Sequence, residues 1–416
     1  MPATPRNFEP ERLQVDHLPA ARRSLRIAFV TETYPPEVNG VAMTVARLVD
    51  GMHERNHDIQ LIRPRQNGSD AANSSERFDE ELVLGLPIPR YPSLRMGMPS
   101  KRALVKLWSV QRPDVVHIAT EGALGWSALQ AALHLKLPVS SDFRTNFHAY
   151  SAHYGIGWLH KPIMAYLRKF HNRTGCTMVP TDALRRDLQS QGFERLQVVS
   201  RGVDTRLFNP LRRSAALRAQ WGVAEDDLVL GCVGRLAPEK NLDVLLAAFD
   251  AIQRRDPRAR LLFVGDGPLR AELQQRCPTA IFAGQRRGED LAAHYASMDL
   301  FAFPSQTETF GNVTTEAMAS GLPVVAFDYA AAAQLIRHGE NGMLAPLSDR
   351  QAFIDAALAL AADAAQRRQV GINARASAEP LDWAGIVAQF ESVLTGVMQQ
   401  GSAQPAGRFS AALPLA

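Results

Sequence analysis

Glu308 and Glu316 stand eight positions apart in the stretch Glu308-Thr-Phe-Gly-Asn-Val-Thr-Thr-Glu316, which runs on into Ala317-Met-Ala-Ser-Gly321-Leu-Pro323. The pattern puts one carboxylate ahead of Gly311 and the other inside a helix that the glycine loop opens. A loop turning into a helix aims backbone N–H groups outward and favours negative charge, so it seats phosphate-bearing ligands. Two acids there can accept hydrogen bonds from hydroxyls of the same ligand. Glu316 alone would be a helix acid complementing the dipole, worth at most about 1 kcal/mol. Its company points to chemistry. Gly234-Arg235-Leu-Ala-Pro238-Glu-Lys240-Asn places two cations on another strand-to-helix loop. Arginine offers a planar fork and lysine a point charge, a pair suited to neutralising a diphosphate leaving group. Taken alone, a charged loop of this kind is solvated surface.

The elements that must hold these loops follow from the apolar runs. Arg26–Val30 reads as a buried strand, then come Pro35, Pro36, Asn39 and Gly40, then Val41, Val45, Leu48, Val49 and Met52 at helical spacing. Gly40 permits close backbone approach to a ligand at that helix N-terminus. Further strands are expected at 59–62, 115–118, 139–143, 178–180 and 197–200, separated by helical stretches. The second half restarts at 228–233 and continues through a helix over 242–252 and strands at 260–264, 281–283, 300–303 and 324–327. Strand-helix alternation of this kind predicts doubly wound parallel sheets. The fold class is therefore α/β, two facing Rossmann-like domains with ligands in the cleft at the carboxyl ends of the strands. The expected divisions are a flexible N-terminus over 1–24, an acceptor domain over 25–205, a donor domain over 206–385, a C-terminal helix over 386–400 and a disordered tail over 401–416. Gly265-Asp-Gly267 lacks the third glycine of a dinucleotide fingerprint and precedes Pro268, so no NAD site is expected.

Composition bounds the rest. The chain has 416 residues, 46% hydrophobic and 21% charged, enough for two ordinary globular cores. Its three cysteines, Cys176, Cys232 and Cys277, carry neither C-x-x-C spacing nor a zinc-type histidine cluster. That argues against a disulfide framework and for a reducing, cytoplasmic setting. No apolar run approaches the roughly 20 residues of a membrane span, and residues 1–23 show no secretory h-region. Net charge is +4, divided as 26 Lys/Arg against 20 Asp/Glu over 1–205, and 20 against 22 over 206–416. The basic bias of the first half suits an anionic acceptor or a membrane surface as well as ordinary surface variation. The scattered tryptophans give no nucleic-acid signature. The segment Arg95–Trp108 mixes cations with apolar residues, as an interfacial helix would, or a plain amphipathic helix on the first sheet.

Glu308 through Glu316, Gly234-Arg235 with Glu239-Lys240, Phe263-Val-Gly-Asp-Gly-Pro268, and Gly40-Val41 together resemble the retaining GT-B glycosyltransferases of family 4. The resemblance runs over nearly the whole of 25–385. Thr309–Val313 and Ala317–Pro323 look closest to bacterial α-mannosyltransferases using GDP-mannose and to glycolipid-forming relatives. It implies transfer of a hexose, of mannose or glucose type, from a nucleotide-sugar donor (GDP-mannose or a UDP-hexose) to a lipid or glycan hydroxyl. Peripheral contact with the inner membrane face would follow from a lipid acceptor. The implied roles are Arg235 and Lys240 on the donor diphosphate, Glu308 on the sugar hydroxyls and Glu316 on the ribose. Amides around Phe310 and Gly311 would support sugar or phosphate, and Gly40 and Val41 would close onto them. The C-terminal helix around 383–397 would cross back to brace the first domain. No Asp-x-Asp occurs, so no metal is expected on the diphosphate, and the nucleotide-sugar is a co-substrate with no cofactor implied. Family members carry a histidine after the strand at 115–118 and another in the segment matching 142–147. Here His117 lies within the strand and Arg144 takes the second place, with His148 and His153 following. Arg144 and His148 are therefore the acceptor-side candidates. Two other readings compete: a GT-B sugar-nucleotide 2-epimerase, which the Lys240 and Glu308 pattern fits less well, and a non-catalytic nucleotide-sugar binding protein.

Overall fold

The structure, a computed structural model, describes residues 24–37, 39–88, 91–144 and 160–402. In the first half the strands are β1 (Arg26–Val30), β2 (Asp58–Pro64), β3 (Ser74–Ser75), β4 (Phe78–Val83), β5 (Gly85–Ile88), β6 (Tyr91–Gly97), β7 (Val115–Ile118), β8 (Val139–Asp142), β9 (Cys176–Val179) and β10 (Leu196–Val198). The second half gives β11 (Val229–Val233), β12 (Arg260–Val264), β13 (Ile281–Gly284), β14 (Leu300–Phe303), β15 (Val324–Phe327) and β16 (Met343–Ala345). Among the described residues they form one sheet in the order β10-β9-β8-β7-β1-β2-β4-β3, a second in the order β13-β12-β11-β14-β15-β16, and the hairpin β5-β6. Every pairing in the second sheet is parallel, and in the first only β3 runs antiparallel. The near-continuous apolar runs are explained by burial on both faces, with β7, β11, β14 and β15 buried throughout.

Each sheet reverses direction once. β1 pairs with β2 on one side and β7 on the other. β11 pairs likewise with β12 and β14. Loops diverge where the winding reverses, and the crevice at the strand carboxyl ends is where α/β sheets take ligands. The loops carrying Arg235 and Glu308 leave β11 and β14, the two sides of the second crevice.

The last helix, Trp383–Ser402, sends Val387, Phe390, Leu394 and Val397 into the core built by β1, β7 and the helix Gly40–Glu54. Gly51 is glycine because of this packing, since a Cβ there would stand 2.5 Å from the Val387 side chain. The helix begins three residues before the expected 386 and runs through Gly401 and Ser402, the first two residues of the expected tail. In the segment Arg95–Trp108 the plain amphipathic helix is the reading the structure supports, over part of its length. Arg95–Gly97 ends a strand, and the helix Lys101–Val110 buries Leu104 and Trp108, whose indole N–H donates to Gln60 Oε1 at 2.8 Å. Its apolar stripe belongs to the core, and Lys101, Arg102 and Lys106 face solvent. Among the described residues no helix is long and apolar enough to cross a membrane.

Candidate active site

The loop after β11 is held by its neighbour. Gly234 N donates to Val264 O at 2.9 Å, Leu236 N to Asp266 O and Leu269 N to Leu236 O, both at 3.0 Å. Gly265 has φ +137°, and a Cβ on it would fall 1.9 Å from the Gly234 carbonyl oxygen. Gly267 would meet Leu236 O at 2.3 Å. Gly265-Asp-Gly267 thus lets the loop after β12 press backbone to backbone on the loop that carries Arg235. Gly265→Ala is expected to destabilise the protein by about 3 kcal/mol or more, because strain at positive φ adds to a clash with immobile backbone. Unfolding in denaturant measures it.

Lys240 follows on a short turn, Pro238–Lys240, and its ammonium pairs with Glu308 Oε1, with both side chains about 15% exposed. Glu308 Oε1 also accepts from Ser305 Oγ at 2.6 Å, and the Lys240 ammonium stands 5.4 Å from the centre of the Phe303 ring. Burial would raise the Glu308 carboxyl, but the Lys240 charge together with the hydrogen bonds from Lys240 and Ser305 outweighs it and holds the group below its ordinary value. Glu308 is therefore a charged acceptor. Arg235, 41% exposed, lies 3.8 Å from the buried carboxylate of Glu239. Its guanidinium is reachable by a ligand while its base is anchored.

Gly311 takes φ +96° at the N-terminus of the helix Asn312–Ala319, and a Cβ there would meet Glu308 Cγ at 3.4 Å. Phe310 beside it is buried, and its carbonyl accepts from Ala331 N at 2.8 Å. Glu316, one helical turn in, accepts from the Tyr295 hydroxyl at 2.8 Å. Burial pushes its carboxyl up to about 7 against the pull of that hydrogen bond. Across the crevice, Gly40 opens its helix with Asn39 as cap, Asn39 Oδ1 accepting from Ala42 N at 2.8 Å. A Cβ on Gly40 would lie 3.7 Å from Asn312 Nδ2, so the two glycine loops face each other. Val41, expected at the ligand, is half-buried beside Gly40 and packs in part against the first-domain core.

The acceptor-side candidates separate. His148 and His153 lie outside the described residues. His117 is a core residue, 5.5 Å from the Phe29 ring and 4.8 Å from that of Phe390. Burial pushes its imidazole down, the nearby Asp142 only partly opposing. Arg144 is enclosed beside Asp142 at the carboxyl end of β8, in the first sheet. Ser305, Tyr295 and Asn312 complete the site, and spacing alone gave no signal for the last two.

Two family models divide the chain as the sheets do: "Glycosyltransferase Family 4" matches residues 38–207 and "Glycosyl transferases group 1" matches 227–363. The chain is 35% identical over 380 residues to the GDP-mannose-dependent alpha-mannosyltransferase of Mycolicibacterium smegmatis, covering 89% of this chain and 98% of that one. It belongs to glycosyltransferase family 4. The family 4 enzyme is also 32% identical over 372 residues to the sulfoquinovosyl transferase SQD2 of Arabidopsis thaliana, covering 86% and 71% of the two chains. Among solved structures, sucrose-phosphate synthase from Thermosynechococcus elongatus aligns with a TM-score of 0.73 at 19% identity, over 90% of this chain and 100% of that one. Anabaena HepE in complex with UDP-glucose aligns at 0.70 and 21% identity, over 89% and 100%. At those identities the structures show the shared GT-B fold. The enzyme transfers a sugar from a nucleotide-sugar donor.

Proposed function

We propose that this transferase moves mannose or a related hexose from GDP-mannose or a UDP-hexose to a lipid or glycan hydroxyl, with retention and without a metal ion, at the inner face of the membrane. The observation that carries the reading is the Lys240–Glu308 pair beside Arg235 at the second-sheet crevice. The name of the GDP-mannose-dependent relative supports the donor.

As the glycosidic bond breaks, negative charge grows on the departing diphosphate. Arg235 and Lys240 are fixed cations for that charge, and fixed charges in an enclosed site lower a barrier without reorganising at the moment of reaction. Glu308, kept ionised, accepts hydrogen bonds from sugar hydroxyls and holds the anomeric carbon in place. Glu316 accepts the ribose hydroxyls. Closure between the glycine loops of residues 40 and 311 excludes water that would hydrolyse the donor.

Incubation with GDP-mannose and UDP-hexoses, followed by NMR of the product, tests the reading. An α-linked product is expected, and a β-linked one would overturn retention. Transfer is expected to persist in excess chelator because the two cations neutralise the diphosphate, and a rate restored only by divalent metal contradicts that role.

The Glu316 carboxyl adds a pH dependence. Ribose hydroxyls bind its ionised form, so below about pH 7 the donor KM is expected to rise, approaching tenfold per unit. Stability runs the other way. Because the folded state holds this proton up to about 7 while the unfolded chain releases it near the ordinary 4.5, stability from this group falls as pH rises through that window. A donor KM profile flat from pH 5.5 to 8, a window set by that carboxyl, would remove Glu316 from the ribose.

A further inference from the structure

The donor half leaves unused a buried polar cluster at the carboxyl end of the first sheet. β8 ends at Asp142, and Arg144 follows two residues later, each side chain 1% exposed. Arg144 Nη2 donates to Asp142 Oδ2. Asp142 is shared: His117 Nε2 lies 3.3 Å from Oδ2, and Arg201, also buried, lies 3.9 Å from Oδ1. One carboxylate therefore faces two guanidiniums. The second carboxylate, Glu121, attracts Arg144 electrostatically, but its Oε1 is turned to His171 Nε2 at 3.3 Å.

Five side-chain atoms of this cluster have no hydrogen-bond partner among the described residues. They are Arg144 Nε and Nη1, Glu121 Oε2, and His117 Nε2 and Asp142 Oδ1, of which the last two have the longer ion-pair contacts given above. Native folds leave few buried polar atoms unpaired, and several gathered in one place call for an explanation, a bound group among them. Two guanidinium N–H groups suit the oxygens of an oxyanion, the pairing in which arginine excels over lysine. A carboxylate oxygen next to them suits a hydroxyl hydrogen. A molecule carrying a phosphate beside a free hydroxyl presents both.

We propose that Arg144, with Arg201 sharing its counter-charge, recognises a phosphate on the acceptor molecule while Glu121 Oε2 accepts from a neighbouring acceptor hydroxyl. The inference rests on the transferase reading, with the acceptor on the first sheet. The same phosphate chemistry is found in a soluble polyol phosphate and in a phospholipid headgroup.

The test uses the full chain saturated with GDP, or with UDP if that is the nucleotide that binds, so that Arg235 and Lys240 are occupied. Calorimetric titration then compares glycerol 3-phosphate, glycerol and a soluble short-chain phosphatidylglycerol. The phosphate-bearing probes are expected to bind at least roughly tenfold tighter than glycerol. Arg144→Gln is expected to erase that preference while nucleotide affinity stays unchanged. A stronger response to phosphatidylglycerol assigns the phosphate to a lipid, and a stronger response to glycerol 3-phosphate assigns it to a soluble acceptor. Equal binding of glycerol and both phosphates by the wild type overturns the proposal, as does an Arg144→Gln protein that keeps the preference. If the variant also loses nucleotide affinity, the wild-type comparison decides alone. Failure of both nucleotides to bind the wild type strikes the transferase reading itself, and the acceptor proposal falls with it.

Discussion

Lys240→Ala is expected to lower kcat/KM for the nucleotide-sugar by about 10² to 10³, the loss typical of removing one fixed group that stabilises developing negative charge. Nucleoside diphosphate affinity should fall in the same variant, because the ammonium meets the phosphates in the ground state as well. The substitution also leaves Glu308 without the charge that holds its carboxyl down. Removing one partner of a fully buried ion pair costs roughly 3–5 kcal/mol, and at about 15% exposure of both side chains a loss nearer 2 kcal/mol is expected. The protein therefore stays folded at 25 °C, and circular dichroism with a nucleotide titration separates lost chemistry from lost structure. Near-wild-type turnover in folded Lys240→Ala protein would remove the lysine from the leaving group.

Glu308→Gln produces a different pattern from the same ion pair. Glutamine keeps the shape and can still accept from Ser305 Oγ, but it removes the charge that accepts from the sugar and balances Lys240. The turnover number is expected to drop by about 10², while nucleoside diphosphate binds as tightly as before or tighter, since Lys240 no longer divides its charge between Glu308 and the phosphates. A parallel loss of diphosphate affinity would place Glu308 on the phosphates and contradict its assignment to the sugar. The full truncation, Glu308→Ala, should abolish transfer for the same reason.

Much of this architecture is legible in the chain because buried parallel strands are unbroken apolar runs. Arg26–Val30, Val115–Ile118, Arg260–Val264, Leu300–Phe303 and Val324–Phe327 are strands at the residues where those runs occur. Phe78–Val83 is not legible, since it carries Asp79, Glu80 and Glu81 through a strand near the sheet edge. The hairpin of Gly85–Ile88 and Tyr91–Gly97 is hidden by Pro87 and Pro92, which demote a run from strand to loop in any local reading.

The site divides similarly. Gly234, Gly311 and the charged residues near them stand out by type, but the contact between Lys240 and Glu308 spans 68 positions and exists only because β11 pairs with β14. The Tyr295 partner of Glu316 is hidden for the same reason, although the two lie only 21 positions apart. Gly265 and Gly267 form only an incomplete dinucleotide fingerprint, and their packing role is set by the Gly234 and Leu236 carbonyl oxygens, which no spacing rule contains. His117 likewise has the residue type of a site and the surroundings of a core, because its neighbour Phe390 arrives from the far end of the chain.

The central claim, that the donor diphosphate rests on Arg235 and Lys240 in the second-sheet crevice, is tested most directly by titrating GDP against guanosine, and UDP against uridine, into the wild type and the Arg235→Ala/Lys240→Ala double variant. The wild type should bind one diphosphate far more tightly than its nucleoside, by roughly a hundredfold or more if each cation contributes a charge-assisted contact. The double variant should bind both members of that pair alike. A double variant that kept the wild-type preference for the diphosphate would contradict the account.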